Sequence, residues 1–173
     1  MAREIPLTQG HVALIDDEDC EKVAAFKWHA FEHGQTVYAR TNVQSGRPRS
    51  GRTGLYMHRL ILDAGRGQQV DHKDGNGLDN RKANLRLVTK GQNGQNLHVP
   101  KTSQYPGVSW FKPTGTWRAV LHPGNQYLHL GLFPTEEDAF RAYCAAVQSH
   151  GRELLPEWRA TLATLEYGMD NAA

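Results

Sequence analysis

The chain has 173 residues, 39% apolar and 9% aromatic, enough for one domain or two small ones with modest cores. No apolar run reaches the length of a bilayer span, and the opening Met-Ala-Arg-Glu-Ile-Pro lacks the apolar core of a signal peptide; two distant cysteines, Cys20 and Cys144, argue against a disulfide framework or a thiolate zinc site. The net charge of +2 hides a basic middle: residues 40–130 hold 14 Lys/Arg against 4 Asp/Glu, while 1–39 and 131–173 each hold 3 against 7.

This is the composition of a reduced cytoplasmic protein with no membrane partner. The basic block fits a polyanion, most simply nucleic acid, or an unevenly charged solvated surface. Residues 10–17 read as a strand entering an acidic turn, 20–28 as a short helix and 36–40 as another strand. Residues 44–54 form a basic Gly-rich loop. It cannot pack a core, so it is a hairpin tip or a phosphate-contacting arm bearing Arg47, Arg49 and Arg52.

The dense stretch follows. Asp74-Gly75 and Asn76-Gly77 are turn signals, so Gln69–His72 ends one strand and Leu85–Val88 forms the next. Thr89 is placed to cap a helix over residues 90–97, which Gly91 and Gly94 weaken. Residues 99–105 suit a linker. Beyond it, strands are expected at Val108–Phe111, 117–122 and 127–133, joined by turns at 112–115 and 123–125. Period-two alternation puts Val108, Trp110, Trp117, Ala119, Leu121, Leu128, Leu130 and Leu132 on the core face. The other face receives Ser109, Phe111, Arg118, Val120, His122, Tyr127 and His129. Thr135 caps a helix with Glu136, Glu137 and Asp138 in its first turn, and Ala139, Ala142, Tyr143 and Ala146 form its buried stripe. The tail, 152–173, carries Trp158 and either docks or stays disordered. The expected class is α+β: a β-rich block over 1–54, a strand–strand–helix finger over 55–98, and a three-stranded antiparallel sheet on one helix over 106–151.

The chemistry concentrates at Asp71-His72. Asn93 and Asn96 share one helix face, so Asp71 and a helix asparagine can hold a divalent cation while His72 activates water. Carboxylate and amide oxygens favour magnesium or manganese over zinc. Neighbouring strand residues point to opposite faces, so either the strand end twists or the two residues have separate roles. A structural zinc module of His58, His72 and His98 lacks thiolates and the usual ligand spacing.

These residues resemble a known family. Tyr56-Met57-His58-Arg59-Leu60-Ile61, Asp71-His72, Gly75-Asn76, Asp79-Asn80, Asn84-Leu85-Arg86 and the pair Asn93 and Asn96 look like the ββα-metal finger of HNH homing-type endonucleases. Asp71 precedes Asn84 by 13 residues and Asn93 by 22. The resemblance implies metal ligands at Asp71 and Asn93, a general base at His72, and an Asn84 that buttresses the loop and orients the histidine. His58 lies near the site or beneath the finger as a structural histidine. Arg59 and Arg86 clamp phosphate or are surface cations. The last motif position is Asn where toxin-type members carry His, in keeping with magnesium. The implied activity is hydrolysis of double-stranded DNA in a bacterial or phage-infected cell, with a monomer or weak dimer nicking one strand. The alternative is a catalytically inactive, sequence-preferring DNA-binding protein.

The C-terminal block also carries a resemblance. Tyr105-Pro106-Gly107-Val108, Trp117-Arg118-Ala119, 128–133 and 135–139 look like the Apetala/ethylene-response-factor DNA-binding domain. That family lays its sheet in the major groove. The implied reading positions are Pro106, Ser109, Phe111, His122, Tyr127 and His129, with Arg118 and Lys112 as phosphate or base contacts. Few are arginine, so the family's plant target does not carry over.

Overall fold

The computed structural model describes residues 1–44, 51–96 and 102–170, so Arg47, Arg49, His98 and part of the expected linker lie outside the described residues. The chain forms two compact units, Met1–Thr89 and Lys90–Ala173.

In the first unit, β1 (Ala2–Pro6) pairs antiparallel with β2 (Val12–Asp16). A single acidic turn over Asp17–Asp19 leads into α1 (Cys20–Ala24). Next come β3 (His29–His33), β4 (Thr36–Gln44) and β5 (Arg52–Tyr56), a three-stranded antiparallel sheet with β4 central. The expected loop over 44–54 is therefore shorter at both ends. Gln44 pairs with Arg52 and Thr53 with Val43, because the alternating Thr and Val side chains of β4 supply a register that outlasts the glycines. Then α2 (Met57–Ile61) precedes a two-stranded hairpin of β6 (Gln69–His72) and β7 (Leu85–Val88), both strands as expected.

The core of this unit is Ala13, Ile15, Val23, Trp28, Ala39, Met57, Ile61 and Leu85, with Leu55 packed against it. Only one face of the three-stranded sheet enters this core; Thr36 and Tyr38 of the other face lie against Gly77 of the 73–84 loop. The edge of β2 holds the 73–84 loop: Leu14 N donates to Leu78 O at 2.8 Å, and Asn80 N donates to Leu14 O at 2.7 Å.

The second unit begins with α3 (Lys90–Asn93), half the expected length. Its last turn closes with Gly94 N donating to Lys90 O, and the glycines at 91 and 94 do not favour a longer helix. Strands β8 (Val108–Phe111), β9 (Thr116–Leu121) and β10 (Leu128–Phe133) form an antiparallel sheet with β9 central. On it packs α4 (Glu136–Ser149), whose first turn is capped by Asp138 N donating to Thr135 Oγ1 at 3.1 Å.

Two expectations about side-chain direction are corrected. A β-bulge between His129 and Gly131 resets the alternation, with Gly131 at φ 138°. Leu132 then opposes Arg118 and is 41% exposed, while Phe133 takes the core-side place opposite Trp117. The buried stripe of α4 is Ala139, Phe140, Tyr143, Cys144 and Val147; Ala146 packs half-buried against it, and Ala142 is not part of that core. Phe140 stacks on Tyr105 at 4.3 Å, so ring packing rather than close approach by small residues sets the helix rotation. The tail docks: α5 (Pro156–Asp170) packs Trp158, Leu162 and Leu165 on the same core. The fold class is α+β, built among the described residues from several small antiparallel sheets and five helices.

Candidate active site

The β6–β7 hairpin separates its two chemical residues. Asp71 opposes Arg86 and His72 opposes Leu85, so the carboxylate and the imidazole stand on opposite faces of a regular ladder. Both are buried, at 7% and 5% exposure. Arg86 Nε donates to Asp71 Oδ2 at 2.8 Å, and Nη2 lies 2.8 Å from the same oxygen.

On the other face, His72 Nε2 lies 3.4 Å from Asn80 Oδ1. The Asn80 amide nitrogen donates to Leu78 O at 3.1 Å, which turns Oδ1 toward the ring. Nε2 is then the donor, and the lone pair of the neutral ring sits on Nδ1. Burial lowers the His72 pKa; the Asn80 bond and the nearby Asp74, Asp71 and Asp79 pull in the opposite direction. The ring is neutral at neutral pH. In the sequence Asn80 stands out only as part of the Asp79-Asn80 pair. Its role became legible once β2 fixed its backbone and the loop closed over it.

The loop that carries these groups is held by its own side chains. Asn84 Nδ2 donates to Asp74 Oδ1 at 2.8 Å and to Asp79 O at 2.9 Å, and Asn84 Oδ1 accepts from Asp74 N at 3.2 Å. Asp74 and Asn76 each accept from a backbone N–H two residues on, the geometry for which Asp and Asn are favoured in turns. Asp79 is buried against Arg81, whose side chain holds that carboxyl below its usual range. Gly77 is required: a Cβ there would lie 2.4 Å from Val37 O and 2.7 Å from the Tyr38 ring.

His58 is on α2 and buried, its ring perpendicular to that of His72 at 5.0 Å and stacked with Tyr56 at 5.3 Å. Its Nδ1 has no hydrogen-bond partner among the described residues. Burial first, then His72 and Arg59, push its pKa down to about 3. Arg59 donates to three carbonyls of the α2–β6 connection, Gln68 O at 2.6 Å, Ala64 O at 3.1 Å and Gly65 O at 2.9 Å. Asn93 closes α3 in the second unit, and Asn96 follows it.

The open face of the C-terminal sheet brings several expected contacts together. Arg118 Nη2 donates to Ser109 Oγ at 3.2 Å, and its guanidinium lies 5.5 Å over the Phe111 ring. His122 and Tyr127 rings meet at 5.3 Å, with Tyr127 56% exposed. Lys112 and His129 are exposed, as is Arg52 on β5.

Residues 55–95 match the HNH endonuclease family model. This stretch is the hairpin, its loop and the helices on either side. Over 58 residues the chain is 40% identical to Protein 3.8 of Escherichia phage T7. The match covers 32% of this chain and 48% of that protein, so the chain spans about half the length of the curated relative it matches. No solved structure matches the chain. Among the described residues no helix is long and apolar enough to cross a membrane, and no three His, Cys, Asp or Glu side chains are grouped to hold a metal.

Proposed function

We propose that this protein is a divalent-cation-dependent DNA endonuclease of the HNH homing type that nicks one strand of a duplex. The observation that carries the reading is a neutral, buried imidazole, His72, tautomerically fixed by Asn80 at the end of a strand inside the stretch that matches the HNH family. A histidine in that state suits proton abstraction at neutral pH.

In this mechanism His72 Nδ1 takes a proton from a water molecule in line with the scissile phosphate. The water oxygen bonds to phosphorus as the bond to O3′ breaks, and O3′ takes a proton from solvent, leaving a 3′-hydroxyl and a 5′-phosphate. Asn80 keeps the ring oriented, and Asn84 keeps the loop closed beneath it. His58 supports the ring from one side as a neutral neighbour.

A carboxylate oxygen such as that of Asp71 is the donor a hard cation prefers, so magnesium or manganese is the ion this reading implies. When bound, such an ion supplies neutralisation of the charge that builds on the phosphate and leaving oxygen. The C-terminal unit serves as the duplex reader, in the manner of the Apetala/ethylene-response-factor domain it resembles. Arg118 and Lys112 contact phosphate or base, and Ser109, Phe111, His122, Tyr127 and His129 line the same face.

The test is conversion of supercoiled plasmid to open circle. With magnesium the wild type nicks, a chelator abolishes nicking, and His72→Ala loses about 10²- to 10⁴-fold in rate. A His72→Ala variant that cuts as fast as wild type removes the base assignment. A wild type that binds DNA but never nicks, even on its own locus, favours a DNA-binding protein on an inactive finger.

A further inference from the structure

The β3–β4–β5 sheet buries one face in the core, with Ala39 and Leu55, and leaves the other without an assigned role. Cross-strand register puts Phe31, Tyr38, Arg40, Tyr56, Asn42 and Arg52 on that open face. No Asp or Glu from the three strands falls on it, since Glu32 belongs to the core side.

Arg40 is the centre of this surface. Its guanidinium lies 4.3 Å over the Phe31 ring and 5.6 Å from that of Tyr56. Gly54 stands opposite Asn42 on the neighbouring strand, and a Cβ there would come within 2.1 Å of Arg40 Nε. Glycine therefore leaves the room in which the guanidinium lies flat. Arg40 makes no ion pair among the described residues, and its buried Nε has no hydrogen-bond partner there. With Nε buried, the two terminal amino groups are the donors left to Arg40 for phosphate or a guanine edge.

The surface is continuous with the candidate active site. Phe31 meets Tyr56 at 6.0 Å, Tyr56 meets Tyr38 at 5.9 Å, and Tyr38 meets His72 at 5.9 Å. Gly77 seats the 73–84 loop directly on Thr36 and Tyr38 at the start of β4. β3 pairs with the first half of β4 and β5 with the second, so the sheet is three strands wide only at Arg40, which stands between His29 and Tyr56.

We propose that this face is a second duplex-DNA contact surface, with Arg40 as its anchor, holding the DNA within about five base pairs of the cut, since three ring contacts span at most about 18 Å at a rise of about 3.4 Å per base pair. Charge complementarity and continuity with His72 select DNA as the occupant. The proposal rests on the nuclease reading for the meaning of His72, but binding is measurable without cleavage.

The experiment is fluorescence anisotropy of the full chain with a fluorescein-labelled random-sequence DNA duplex, in chelator, across a salt series. Arg40→Gln is expected to weaken binding roughly five- to tenfold at low salt and to reduce the log–log salt slope by about one. Gly54→Leu keeps every charge but displaces the guanidinium, and is expected to weaken binding as well. Arg52→Gln, at an exposed position on the same face, gives the same slope change without touching the packed rings. Lys22→Gln, which removes a cation paired with Asp63 away from this face, leaves binding unchanged. Wild-type affinity and slope in both Arg40→Gln and Arg52→Gln overturn the proposal and leave the nuclease reading standing. Tighter binding of an RNA duplex of the same sequence overturns the choice of DNA. A wild type that binds with the expected Arg40 dependence yet never nicks with magnesium sinks the nuclease reading alone.

Discussion

Among the described residues the chain has two three-stranded antiparallel sheets, each with one face in a core and one face carrying an arginine over an aromatic ring. They differ in what joins them to the rest of the molecule. In the first unit the open face runs through Tyr38 into the imidazole of His72, and the 73–84 loop is seated on it through Gly77. In the second unit the open face ends at a bulge, where Leu132 turns outward beside Arg118. The first sheet is therefore a wall of the candidate active site, and its packing and titration are tied to the chemistry. The second is a platform whose face can change without disturbing what lies behind it.

That contrast can be broken or sharpened by measurement. The largest expected effect is acid sensitivity confined to the first unit. The His58 pKa is near 3 in the fold and about 6.5 when unfolded, so between those values the unfolded chain binds more protons. The stabilisation is complete above pH ~6.5 and is lost as pH falls toward ~3, on the order of 3–5 kcal/mol in all. Urea midpoints followed by the protection of each unit's amides should show this, with His58→Gln flattening the dependence. Among the described residues of the second unit no histidine is buried, so equal acid sensitivity there contradicts the contrast.

Next in size is Gly77→Ala. Its Cβ would meet backbone oxygen, which cannot move cheaply, so the loop should lift from the sheet at a cost of about 1–3 kcal/mol, read as a lower urea midpoint for the first unit. Nicking should fall with it, because Asn80 holds His72 from that loop. Arg118→Ala should weaken DNA binding by roughly three- to tenfold while its melting temperature stays close to wild type. Unchanged affinity would take the second sheet out of the DNA interface. Smallest is Leu132→Ala, expected to change stability by less than about 0.5 kcal/mol, whereas Phe133→Ala costs about 2 kcal/mol or more. A large loss at Leu132 would show that the bulge does not reset the face.

Much of the hairpin was legible from residues alone. Asp-Gly and Asn-Gly turns between apolar runs placed β6 and β7 at their observed bounds, because turn chemistry and strand alternation are local properties. The Thr135 cap was legible for the same reason. The bulge was not: a glycine between leucines looks like regular alternation until a partner strand shows one residue left over. The stripe of α4 was misread because volume, not only spacing, decides which side chains a core accepts, and Phe140 outweighs the alanines.

The sequence by itself determined the local devices: the turns, the cap, the basic block and the residue types suited to hydrolysing a phosphodiester. Tertiary structure decided which of them meet. Asn80 reaches His72 because β2 clamps the loop backbone, His58 is driven to neutrality because three aromatic neighbours exclude water, and Arg40 lies flat because Gly54 stands on the next strand. These are consequences of contacts between segments far apart in the chain, and no pattern within one segment encodes them.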